Sequence, residues 1–106
     1  MSKYLIEGTY AAEGAKGLLK QGGTSRHAQI RAMVEGLGGS VEAFYWAFGE
    51  SDFYIFADLP DNATAAAIGL TVSGSGAVRT RTTVLLTPEE IDQARGRTID
   101  YKAPGA

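Results

Sequence analysis

One histidine, His27, and one tryptophan, Trp46, stand among carboxylates, arginines and tyrosines in a chain of 106 residues that has no cysteine. Without cysteine, disulfides, thiolate metal sites and thiol nucleophiles are removed together. His27 follows Gly22-Gly23-Thr24-Ser25-Arg26 and precedes Ile30 by three positions and Val34 by seven. On a helix it therefore shares their inward face, in the first turn. The helix start and Arg26 both disfavour an imidazolium there, and a neutral ring can act as an acid or base at the edge of a site or ligate a metal. It serves equally as a half-buried packing residue that donates one hydrogen bond. The backbone amides and hydroxyls of Gly22 to Ser25 could hold a phosphate or carboxylate, although helix capping by Thr24 or Ser25 explains them without a ligand. No serine is spaced against a base in a way that supports nucleophilic hydrolysis.

A second constellation comes from strand parity, since neighbouring side chains on a strand point to opposite faces. One face of the predicted sheet collects Tyr4, Ile6, Gly8, Val41, Ala43, Tyr45, Ala47, Phe53, Ile55, Ala57, Val78, Thr80, Thr82 and Val84. These are mostly small or aliphatic and suit a surface beneath helices. The other face collects Leu5, Glu7, Thr9, Glu42, Phe44, Trp46, Phe48, Tyr54, Phe56, Asp58, Arg79, Arg81, Thr83 and Leu85. It is aromatic and charged at once, and bare in a monomer it would form a large apolar patch. A second copy of the sheet, packed face to face across a two-fold axis, is the economical cover. In such a cleft Glu7 can serve as a base and Arg81 can orient an anionic or carbonyl-bearing ligand. Phe44, Trp46, Tyr54 and Phe56 would supply the walls. The same residues also fit a dimer interface with an aromatic core and a wet rim and no ligand.

The elements that would position these residues are legible from periodicity. Strands are predicted at 3–10, 40–48, 52–59 and 76–86. Gly8 inside the first marks a bulge or a close backbone approach. A short helix over 11–21, with Ala15, Leu18 and Leu19 on one face, ends at Gly22-Gly23. A second starts at Thr24 or Ser25 and carries Ile30, Met33, Val34 and Leu37. Asp61 or Asn62 caps a third, with Ala63, Ala66, Ala67 and Leu70 along one side. Thr87, Pro88 and Glu90 form a capping box for a fourth. The order is that of a split βαβ repeated: an α+β, ferredoxin-like βαββαβ fold with an antiparallel four-stranded sheet in order 4-1-3-2. Its first helical region is broken at Gly22-Gly23, an extra helix follows the last strand, and residues 95–106 form an extended tail within a single domain, 1–106.

Composition narrows the function classes. Ten basic against twelve acidic residues give a net charge of −2, with no basic stripe to argue for nucleic acid. No apolar run approaches bilayer length, and Met-Ser-Lys passes straight into a strand, so neither a membrane nor a leader is expected and the cytoplasm is the expected compartment.

The segments "GLLKQGGTSR", "LGGSVEAFYWAFGE", "DLPDNATAAA" and "TTVLLTPEEID" resemble the GYD domain family of small bacterial proteins. The resemblance implies a ferredoxin-like dimeric α/β barrel. The Gly-Tyr-Asp signature falls at Gly49-Glu50-Ser51-Asp52, with Ser51 where the tyrosine is expected, and His27 stands where a second basic residue after Arg26 is expected. Dimeric α/β barrels include cofactor-free monooxygenases, isomerases and haem enzymes, an analogy of fold that leaves chemistry open. The expectation is a homodimer or higher even oligomer that binds a small aromatic or carbonyl compound between sheets, with no cofactor. Catalysis itself is left open, with His27 and Glu7 as its acid–base candidates. The alternatives are a metal-binding oligomer in which symmetry gathers His27 beside carboxylates, and a purely structural interaction module.

Overall fold

The computed structural model describes residues 1–106. In chain order it contains β1 (Ser2–Tyr10), α1 (Ala12–Gln21), α2 (Gly23–Gly36), β2 (Ser40–Trp46), β3 (Phe53–Leu59), α3 (Asn62–Gly74), β4 (Val78–Leu85) and α4 (Pro88–Arg95). All strand pairs are antiparallel and the sheet runs β2-β3-β1-β4. That is the ferredoxin-like order expected from the sequence, read from the other edge.

The two central strands alternate strictly. Tyr4, Ile6 and Gly8 of β1 and Phe53, Ile55, Ala57 and Leu59 of β3 are buried, while the strand residues between them are half-buried. The buried set meets Ile30 and Val34 of α2, Ala65 and Ile68 of α3, and Val78 of β4 to form the core. Gly8 is a close approach and not a bulge, because a Cβ there would overlap the Phe53 ring. Tyr4, 1% exposed, keeps its phenol satisfied by donating to Asn62 Oδ1 at 2.5 Å. Buried hydroxyls need such a partner.

Two of the four helix starts, those of α3 and α4, are capped by side chains, whereas α1 and α2 begin without a side-chain cap. Asp61 Oδ1 accepts the Thr64 N–H at 2.8 Å and caps α3. The capping box of α4 closes through Thr87 N–H to Glu90 Oε1 at 3.0 Å and Glu90 N–H to Thr87 Oγ1 at 3.1 Å. By contrast α2 begins at Gly23, a residue before the predicted caps, and neither Thr24 nor Ser25 caps it. Gly22 takes φ +86°, a conformation glycine tolerates, and turns the chain between α1 and α2 in a single step.

Two helix faces differ from expectation. On α3 the buried residues are Ala65 and Ile68, with Val72 packed against the core, whereas Ala63, Ala66, Ala67 and Leu70 point outward. The helix is apolar on all sides, so its hydrophobic pattern lacked the contrast that selects a face. On α1 no residue is fully buried and Ala15 and Leu19 are exposed; only Gly14, Leu18 and Gln21 turn partly inward.

Candidate functional site

A β-bulge decides how the candidate residues are distributed. In β2, Val41 pairs with Ala57 of β3, but Ala43 pairs with Phe56, leaving Glu42 as the extra residue. One inserted residue reverses the parity of everything that follows. Phe44 consequently pairs with Ile55 and Trp46 with Phe53, both on the helix-covered face, while Ala43 and Tyr45 turn to the open face opposite Phe56 and Tyr54. The expectation that Phe44 and Trp46 share a face with Glu7 is thereby corrected. Phe48, placed on the same face by parity, lies beyond the end of β2 in the 47–52 loop and is fully exposed. The candidate residues fall into two groups on opposite sides of the sheet.

The open-face group contains Glu7, Tyr54, Phe56 and Arg81. Glu7 of β1 lies in register between Tyr54 on β3 and Arg81 on β4. It makes no ion pair with Arg81, however. Its Oε1 accepts a hydrogen bond from the Ser51 hydroxyl at 3.0 Å, and Ser51 is 2% exposed. Arg79 and Arg81 project from β4, the edge strand, without a carboxylate partner in the chain. Together with Thr9 these groups line a polar cleft of about 260 Å³. Phe56, Tyr54, Tyr45 and Leu5 continue the face as a half-exposed apolar and aromatic surface. At its far end Lys3 binds both Glu42 and Asp58, the latter at 3.1 Å. The hydrogen bonds that Lys3 donates, to Glu42 first and Asp58 second, hold the pKa of its ammonium above the usual value, so this cation is already committed to partners.

The helix-side group contains His27, Phe44 and Trp46. Phe44 stacks on Trp46 with ring centroids 4.4 Å apart and meets the edge of His27 at 5.4 Å. Trp46 Nε1–H donates to the Tyr10 hydroxyl at 3.0 Å. Gly23 at the start of α2 lies within van der Waals reach of the indole. His27 Nε2 lies 3.3 Å from a terminal nitrogen of Arg31. A guanidinium has only donors, so in that contact Nε2 can only take the acceptor side. The chain gathers no three His, Asp or Glu side chains in ligand geometry, and the ring is held by Arg31 and Phe44 instead of a carboxylate. The apolar slot on this side, between Ile30, Val34, Ile68 and Val72, has a volume of about 30 Å³, room for one water molecule and no organic ligand.

Two residues were missed as parts of the site. Ser51 was noted only for replacing an expected tyrosine, yet it is the group that holds Glu7. Asp52 accepts the Tyr10 N–H at 2.8 Å through Oδ2 and donates its own N–H to the Gly8 carbonyl at 2.7 Å. It thereby clamps the 47–52 loop to the end of β1 and delivers Ser51 to Glu7. The spacing of Ser51-Asp52 just before an alternating strand was visible, but a contact across 44 residues of sequence was not.

Comparison with curated proteins and with solved structures finds no significant match. The family model for the GYD domain matches residues 4–94, from the third residue of β1 through all but the last residue of α4. The match covers the Glu7–Ser51–Asp52 arrangement and both groups of candidate residues. The chain belongs to the GYD domain family.

Proposed function

We propose that the protein is an even-numbered homo-oligomer in which two copies close their open sheet faces on each other as a dimeric α/β barrel. Between the sheets it binds a small aromatic or carbonyl compound. The observation that carries this reading is the pair of unpartnered arginines, Arg79 and Arg81, beside a glutamate that is fixed by Ser51 instead of neutralised by them. Two guanidiniums beside an aromatic surface form an anchor for a carbonyl or carboxylate oxygen, with donors in a planar fork. Tyr54 and Phe56 give the ring-binding wall. Glu7 Oε2 has no partner within the chain, so it is available to take a proton from a ligand oriented by Arg81. The role assigned to Phe44 and Trp46 as ligand walls is withdrawn, because the bulge sets them behind the sheet. His27 belongs with them and is left out of the proton transfer.

Native mass spectrometry of gently purified protein tests the reading. An even oligomer carrying a retained organic mass is expected. Arg81→Gln should lose that mass or weaken its retention at least tenfold, whereas Trp46→Phe should keep it. A monomer at micromolar concentration, or a retained mass indifferent to Arg81→Gln, would overturn the proposal. Glu7→Gln should retain the compound and abolish any turnover measured on it.

A further inference from the structure

The chain exposes 7371 Å², about 1,700 Å² more than the roughly 5,700 Å² expected for a compact monomer of 11.2 kDa. Its radius of gyration is 17.0 Å, against about 13 Å for a compact chain of this length. Residues 86–106 contribute to this excess. Every residue from Pro88 onward is exposed, and Leu86, Ile91, Ile99 and Tyr101 are each more than half exposed. No other element packs substantially on α4. An eight-residue helix is marginal alone in water even when fully capped, so it needs a surface. The same chain carries a vacant one. Between α3 and β4, on the helix side of the sheet, a cleft of about 440 Å³ is bordered by Ala66, Gly69, Leu70, Thr82 and Val84. Leu70 is 76% exposed and Val84 52%. No charged residue occurs in α3, so nothing on that helix opposes an apolar occupant.

We infer that residues 86–106 form an exchanged arm: Ile91, Ile99 and Tyr101 of one copy seat on the α3–β4 cleft of a second copy, at Leu70 and Val84, and the second copy reciprocates. The area supports a second copy as the occupant. An excess of about 1,700 Å² per chain is about twice the ~800 Å² that each partner gives to a standard interface, enough for the open-face contact and the arm together. Geometry supports it too, because the arm starts two residues beyond Val84, itself part of the cleft. A two-fold axis beside β4 sets each arm across the other chain's cleft and buries both at once. The contact uses the opposite side of the sheet from the proposed ligand chamber and does not depend on it.

The natural absence of cysteine makes the test direct. Full-length chains carrying Leu70→Cys are mixed with chains carrying Ile91→Cys, Ile99→Cys or Tyr101→Cys, then treated with a short bis-maleimide. All four side chains are exposed in one chain, so the fold should tolerate them. The expected result is a mixed 70-to-arm cross-link between chains, at least fivefold above the 70-to-70 product and dependent on protein concentration. Absence of any 70-to-arm link, or a link confined within single chains of a Leu70→Cys/Ile99→Cys double variant, would overturn the inference. Adding Phe56→Ser, which attacks only the open face, should leave the arm cross-link in place, so failure of one contact is distinguishable from failure of the other.

Discussion

A methyl group on Gly8 would take the space of the Phe53 ring, and that ring also contacts Tyr10 and Phe44. Gly8→Ala should therefore overpack the core beneath the aromatic cluster and cost about 1–3 kcal/mol in chemical denaturation. The double variant Gly8→Ala/Phe53→Leu should recover part of the loss, which a purely backbone effect at Gly8 would not allow. The same residue supports the site, since its carbonyl accepts the Asp52 N–H and its neighbour Glu7 receives Ser51. At this scale a single close approach serves both packing and the arrangement of Glu7.

At the scale of elements, the start of α3 couples stability to pH. The backbone N–H and the hydroxyl of Thr64 both donate to Asp61, and they hold its carboxyl below the usual value of 3.8. A folded-state value below the unfolded one means that the cap contributes stability above the ordinary carboxylate range and loses it as pH falls through the depressed value. Thermal melts from pH 6 down to pH 2 should show this decline, and Asp61→Asn, which caps without a charge, should flatten that part of the profile. An unchanged slope in Asp61→Asn would assign the acid loss to other carboxylates. The bulge in β2 is the other decisive element. Strand periodicity marked β2 correctly as a strand, but an extra residue such as Glu42 leaves no local signature in "SVEAFYW", so alternation carried Phe44 and Trp46 to the wrong face.

For the whole molecule, the contrast between the two sides of the sheet matters most. The helices cover one side, and the other presents Leu5, Tyr45, Tyr54 and Phe56 beside Glu7 and the arginines. Phe56→Ser should lower the sedimentation coefficient at micromolar concentration with far-UV circular dichroism unchanged, because its side chain packs on the open face and not in the core. No shift would mean that the sheet face is not an assembly surface. No helix is long and apolar enough to cross a membrane.

The element order, the antiparallel sheet order and the capping box of α4 were legible in the sequence because each rests on local periodicity or on a few adjacent residues, whereas Gly8 left a bulge and a close approach both open until Phe53 was placed against it. The strand order implied by those elements set β4 and its arginines beside Glu7 of β1, and the fold decided that Arg81 is the one in register with it. Only the tertiary structure decided which candidates stand together. Ser51 reaches Glu7 through a loop clamped by Asp52, α3 buries Ala65 and Ile68 because packing chooses a face where its composition offers no contrast, and one bulged residue divides the aromatic set between two sides of the sheet. Each of these depends on contacts between residues distant in the chain, and side-chain parity is a property of a strand only until its partner strand shifts the register.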